Sequence, residues 1–293
     1  MKKVVVFGGS GFIGSHICDL LSEKKFDVYI FDIVKSKYLK DNQTMIVGDV
    51  LDQKLIDKTI KNADFVYHFA GIADIKQAYE NPVDTIKINV LSTTYILDAC
   101  VKYKVKKFMF ASTIYVYSNH GSFYRVSKQA SELIIESYAK SFDLNFSIMR
   151  FGSLYGKRAP TSNSIYKMIL EALENGRINR TGDGNEVRDY INVYDAARAS
   201  YELLYDKSEG NYVMITGNQT YKIKEILKMI KEMFDNKIEV IYSKSHQKEH
   251  YQITPYNFKP NIAKKYTLDY NLDLGQGILE SIYDIYETIN ESK

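Results

Sequence analysis

"FGGSGFIGSH", residues 7–16, sits between a short apolar run, "KVVVFG" (3–8), and a helix-like segment from about residue 12. Gly8, Gly11 and Gly14 give it a GxxGxxG spacing. Glycine suits such positions because the chain must turn tightly and approach a pyrophosphate with no Cβ in the way. The helix N-terminus that follows offers unpaired N–H groups and a positive dipole to phosphate. Turns use glycine for other reasons too, but the strand–loop–helix context makes this stretch a dinucleotide site, with Phe12 and Ile13 as part of the same loop. The next apolar run, "DVYIFD", ends at Asp32, eighteen residues after Gly14. An acid there can accept the adenosine ribose hydroxyls and repels a 2′-phosphate, which favours NAD over NADP. Lys35 and Lys37 just beyond can soften that discrimination.

Working outward, β-branched and apolar runs recur at 27–32, 44–49, 64–70, 106–112 and 145–151, with helical patterns at 12–24, 52–61, 83–103 and 124–141. Continuous apolar strands alternating with helices indicate a parallel sheet covered on both faces. The expected fold is therefore α/β, a doubly wound Rossmann-type sheet with ligands at the C-terminal strand ends. After residue 152 the regularity fades. Helices are expected at 162–176, 194–206, 222–235 and 275–290, with short strands near 211–216 and 238–242. This divides the chain into an NAD-binding part, 1–152, and a mainly substrate-binding part, 153–293, some of whose segments return to the main sheet.

Composition narrows the class. A hydrophobic fraction of 45% and a charged fraction of 26% are those of an ordinary globular protein with a sizeable core. With 39 basic against 36 acidic residues, the net charge of +3 is too balanced for a nucleic-acid binder. The N-terminal apolar run breaks at Gly8, too short for a signal peptide or a membrane span. Cys18 and Cys100 have no partner at metal-ligand spacing and read as buried, reduced thiols, which fits a cytoplasmic protein. His246 and His250, four apart in "SKSHQKEHY", read as a solvated polar segment, and no metal site is expected.

"HGSFYRVSKQ" (120–129) places Tyr124 and Lys128 four apart, on one face of a helix. In a chain with 25 tyrosines such pairs arise by chance, and spacing alone leaves a solvated helix face and an acid/base centre both open. The context decides. "GGSGFIGSH" (8–16), "GDVLD" (48–52), "HFAG" (68–71), "INVLSTT" (88–94), "FASTIYVY" (110–117), "YRVSK" (124–128), "RFGSLYG" (150–156) and "GDGNEVRDYINVYDAARA" (182–199) follow one another in order. Over nearly its whole length the chain resembles the extended short-chain dehydrogenases/reductases, the NAD-dependent epimerase/dehydratase family of nucleotide-sugar enzymes.

The resemblance implies Tyr124 as the proton-transfer group, with Lys128 favouring its phenolate and binding the nicotinamide ribose. It implies Thr113 as the residue that binds the substrate hydroxyl, Ser112 being the neighbouring alternative. Asp49 and Val50 would flank the adenine; Phe69, Ala70 and Gly71 would line the pyrophosphate and ribose; Asn89 would tie the sheet to the next helix. Arg188 would grip the nucleotide diphosphate, where a planar permanent cation suits phosphate oxygens. The implied activity is C4 oxidation of a nucleoside-diphosphate sugar by NAD, giving an epimerase through a 4-keto intermediate or a dehydrogenase that releases the keto sugar. A catalytically silent NAD sensor is the rival from another class. A homodimer built on the helices at 83–103 and 124–141 is also implied.

Three departures qualify this. Only seven residues separate Tyr117 from Tyr124, where the family has a long loop, so Tyr115 and Tyr117 become rival phenols. Ile114 and Tyr115 replace the Asp-Glu pair of the 4,6-dehydratases, which argues against that reaction. Ser153 stands where the family has an Asn, weakening its role as a nucleotide contact.

Overall fold

The apolar runs of the first half do form strands. In the computed structural model, which describes residues 1–206, 211–243, 264–266 and 268–291, they begin with β1 (Lys3–Phe7), α1 (Phe12–Glu23), β2 (Asp27–Asp32), β3 (Gln43–Val47), α2 (Gln53–Ile60) and β4 (Phe65–His68). Next come α3 (Ile75–Glu80), α4 (Pro82–Ile86), α5 (Ser92–Lys102), β5 (Lys107–Thr113), α6 (Ser122–Phe142) and β6 (Phe146–Phe151). A π-helical turn at Lys87–Leu91 joins α4 to α5, so the helix expected at 83–103 is interrupted around Asn89. Two expected strands stop early for visible reasons. After β4, Phe69 N and Ala70 N both donate to Phe7 O, at 2.8 and 3.0 Å, which ends the ladder. After β3, Asp49 Oδ1 accepts from Leu51 N at 2.9 Å, an Asx turn.

The second half adds β7 (Ser153–Tyr155), α7 (Ser164–Asn175), β8 (Arg177–Thr181), β9 (Val187–Asn192), α8 (Val193–Glu202), β10 (Asn211–Ile215) and β11 (Thr220–Lys222). It closes with α9 (Ile223–Met233), β12 (Glu239–Ser243), β13 (Lys264–Tyr266) and α10 (Leu274–Glu291). Strands β7, β8, β9, β11 and β13 escape the sequence reading because they are short and mix polar with apolar residues without a regular period. The described strands form an eight-stranded sheet in the order β13-β10-β6-β5-β4-β1-β2-β3, with β11-β9-β7 and β12-β8 apart from it. Every pairing in the large sheet is parallel.

Both faces of that sheet are dry. On one, Val4, Val6, Tyr67, Met109 and Met149 pack with Ile17 and Leu21 of α1 and Ala196 of α8. On the other, Val5, Phe7, Val66, Phe108, Phe110 and Ile148 pack with residues of α2, α5 and α6. A separate cluster joins α7, α9 and α10 around Tyr155 and Tyr190. The chain winds one way through β2 and β3 and the other way from β4 to β6, so the order reverses between β1 and β4. A crevice opens at such a reversal, and it faces the glycine loop.

Ile148 has no solvent exposure and sits in β6 between β5 and β10. Ile148→Ala should cost about 2–5 kcal/mol of stability through lost burial and a residual cavity, read from the urea midpoint. A midpoint equal to that of the parent chain would contradict this packing.

Candidate active site

The glycine loop is shaped from within. Gly8 has φ 78°, and a methyl there would fall 2.4 Å from Ala70 N. A methyl on Gly14 would fall 2.1 Å from Gly8 O, so α1 can approach the end of β1 only without a side chain at that position. Gly11 differs, since its methyl would meet only Gly8 O, at 3.2 Å. Gly11 precedes the first turn of α1, where Phe12 and Ile13 lie, and no side chain caps that turn. Asp32 Oδ2 accepts from Ser10 N at 3.0 Å and Oδ1 from Val34 N at 3.3 Å, so the acid also pins the loop. Asp49 and Val50 follow β3, and Phe69, Ala70 and Gly71 follow β4 across the crevice.

Asn89 lies behind this strip. Its side chain accepts from Ile72 N at 2.7 Å and donates to Ile72 O and Ser127 Oγ at 3.0 and 2.9 Å. Both of its amide hydrogens are engaged, so it fastens the loop after β4 to α6. A methyl on Gly71 would lie 2.8 Å from Asn89 Oδ1 and 3.8 Å from Lys128 Nζ. The glycine strip and the Tyr–Lys helix therefore meet at Gly71.

Tyr124 and Lys128 lie on consecutive turns of α6 and both reach the end of β5. Tyr124 shares a side-chain hydrogen bond with Thr113, whose Oγ1 also accepts from Tyr115 N at 3.2 Å. Lys128 Nζ donates to Ala111 O at 2.7 Å and stands 4.7 Å from the centre of the Phe110 ring. Burial pushes the Tyr124 phenol up to about 12, with the Thr113 bond acting the other way. Burial also lowers Lys128 to about 8, opposed by the charge of Glu132. Desolvation dominates both groups and moves each toward its neutral form.

The alternatives differ in what they touch. The Ser112 hydroxyl donates to Glu132 Oε1 at 2.5 Å, which leaves Thr113 as the hydroxyl facing the phenol. Tyr117 OH accepts from Arg150 Nη1 at 2.7 Å, with its ring against the guanidinium. Tyr115 sets its ring edge-on to Tyr124, 6.4 Å between centroids, and lines the neighbouring cleft. That cleft, about 330 Å³, also has Ser153, Arg188, Arg180 and Tyr190 in its wall. Arg188 is mostly buried, and its Nη1 donates to Val187 O at 2.8 Å. Arg180, which the sequence reading missed, is paired with Glu186 at 2.8 Å; its only signal is a charged residue in a short alternating strand just before the "GDG" turn.

Residues 4–215 match the profile of the NAD dependent epimerase/dehydratase family. The chain belongs to this family. It is accordingly an NAD-dependent enzyme, and its ordered motifs are those of the extended short-chain dehydrogenases/reductases. A relative in Methanocaldococcus jannaschii, named for a proposed UDP-glucose 4-epimerase activity, is 33% identical over 272 residues, covering 85% of this chain and 88% of that protein. The UDP-N-acetylglucosamine 4-epimerase of Methanobrevibacter ruminantium, solved with UDP-N-acetylmuramic acid, superposes with a TM-score of 0.87 at 23% identity, covering 98% of this chain and 99% of the other. The UDP-glucuronic acid 4-epimerase of Bacillus cereus, solved with UDP-glucuronic acid and NAD, gives 0.84 at 23% over the same shares.

The crevice fits the family's cofactor: a glycine-rich loop at a helix N-terminus, with an acid at the end of β2. Among the described residues no three His, Cys, Asp or Glu side chains gather to hold a metal ion, and His246 and His250 lie outside them. Cys18 and Cys100 are buried free thiols. No described helix is long and apolar enough to cross a membrane.

The two glycine contacts separate packing from ligand binding. Gly14→Ala should lower the melting temperature and weaken NAD together. Gly11→Ala should melt like the parent chain and show its effect only in an NAD titration. A Gly14→Ala protein with parental melting would refute the close approach of α1 to Gly8.

Proposed function

We propose that the chain is an NAD-dependent nucleotide-sugar epimerase acting at C4 through a 4-keto sugar. The observation that carries this is the Thr113–Tyr124 hydrogen bond with Lys128 fastened to the same strand end. NAD, when bound, would supply the hydride acceptor and donor and a positive ring charge near Tyr124. Thr113 orients the C4 hydroxyl, and Tyr124 takes its proton and returns one when the hydroxyl re-forms. Lys128 holds the ribose and keeps a positive charge beside the phenol. Glycines 8, 11 and 14 with Phe12 and Ile13 seat the pyrophosphate, Asp32 the adenosine ribose, and Asp49 and Val50 the adenine. Phe69, Ala70 and Gly71 line the cofactor from across the crevice.

Residues 153–293 mainly take the nucleoside-diphosphate sugar, with Arg188 on the diphosphate and Ser153 beside it. The epimerases named above support the sugar-nucleotide class. The apolar side chains of Val83, Ile86, Leu91, Val126 and Leu133, at least 39% exposed along α4, the π turn and α6, support a homodimer through those helices. Two buried free thiols suit a reducing compartment, and we assign the protein to the cytoplasm.

Tyr124→Phe removes one oxygen and keeps the ring, so folding and NAD affinity should hold while turnover falls by about 10²–10⁴-fold. Lys128→Met should lose turnover and NAD affinity together. Incubation with UDP-hexoses, followed by NMR of the sugar, should show C4 inversion with no net build-up of reduced cofactor. Stoichiometric reduced cofactor would instead mark a dehydrogenase, and NAD binding with no turnover a sensor. Parental turnover in Tyr124→Phe would move the proton-transfer role to Tyr115, since Tyr117 is held by Arg150. Light scattering should give twice the chain mass, and a monomer at working concentration would remove the dimer.

A further inference from the structure

One turn beyond Lys128 on α6, Glu132 is buried against Arg150 of β6, which is 1% exposed. Arg150 Nε donates to Glu132 Oε1 at 3.0 Å and Nη2 to Oε2 at 2.6 Å, a two-pronged pair. The guanidinium lies between the rings of Tyr117 and Tyr212, 4.8 Å from each centroid. Glu132 Oε1 also accepts from Ser112, the residue between the partners of Lys128 and Tyr124. Three side chains of α6, at i, i+4 and i+8, are therefore fastened to three successive residues of β5: Tyr124 to Thr113, Lys128 to Ala111 and Glu132 to Ser112.

We propose that Glu132, braced by Arg150, is a positioning residue that holds the end of β5 and the Lys128 ammonium in register with Tyr124. The proposal rests on the catalytic reading of Tyr124 and Lys128 given above. Glu132 is the third member of a clamp whose other two members meet the reacting groups, and a buried pair is a costly way merely to join α6 to β6. Its charge also opposes the desolvation of Lys128, the nearest cation on its own helix. Among the described residues, the charged and titratable groups facing this pair and Lys128 include Arg150 on β6, Tyr117 in the turn after β5, Tyr212 on β10 with its partner Glu136 on α6, and His68 on β4. Burial lowers His68 to about 3, so it is neutral across the working range. Loss of the Glu132 charge leaves Arg150 and Lys128 as neighbouring cations, and both changes push the ammonium to deprotonate at lower pH.

The test compares Glu132→Gln with the double variant Glu132→Met/Arg150→Met, which removes the buried charge without leaving Arg150 unpaired. Both are assayed for melting, for the pH profile of turnover and for NAD affinity against pH. In folded Glu132→Gln the alkaline limb of turnover and of NAD binding should move down by roughly 1 pH unit or more, the size of a lost close charge; in the double variant, where the Arg150 cation goes as well, it should move the same way by less. The KM for the sugar should stay near that of the parent chain. An unmoved alkaline limb in either folded variant overturns the proposal. So does failure of both variants to fold, which would give the pair a purely structural role. If Tyr124→Phe keeps full turnover, the catalytic reading fails instead, whatever the Glu132 variants do. If turnover is lost in Tyr124→Phe and Lys128→Met but the limb stays put in the Glu132 variants, only this inference fails.

Discussion

The reactive end of the molecule depends on the fastening of α6 to the last residues of β5. A helix and a strand packed through apolar surface alone can slide by fractions of a turn, because hydrophobic contact has no direction. Hydrogen bonds to Ala111 O, Ser112 Oγ and the Thr113 hydroxyl fix both rotation and height. Proton transfer needs heavy atoms within hydrogen-bonding reach, so this alignment is what turns an amphipathic helix into a candidate acid/base element.

Burial has two consequences at that end. It raises the Tyr124 phenol and lowers the Lys128 ammonium, moving each toward its neutral form. Each group of the candidate site is therefore sensitive to any charge placed beside it. The Arg150–Glu132 pair under it fits the same logic. A low-dielectric pocket makes each fixed charge count for more, and its position matters accordingly.

At the other end the constraint is steric. The switch in strand order between β1 and β4 opens a crevice, and α1 can reach it only because Gly14 brings no side chain against Gly8 O. Asn89 links the two ends by holding Ile72, just beyond the cofactor strip, to Ser127 on α6. The π-helical turn around Asn89 is what places its amide there, and a helical period read from the sequence does not reveal it.

Local chemistry settled much from the sequence alone. Strands buried on both faces read as continuous apolar runs, and the glycine spacing and Asp32 are short-range patterns, so the cofactor loop and the sheet except for β13 were legible, whereas the Tyr124–Lys128 pair was legible only beside the other family motifs. The half-polar strands β7, β8, β9 and β11 were not, since three to six residues without a regular apolar pattern look like loop. Neither were Glu132, Arg150 and Arg180, whose roles arise from contacts across 18 residues or more, or from the wall of a cleft that several elements share. What Ser112, Thr113, Tyr115 and Tyr117 each touch likewise came only from the tertiary structure. Residue type states what a hydroxyl can do, but only its packed neighbours decide whether it is already engaged.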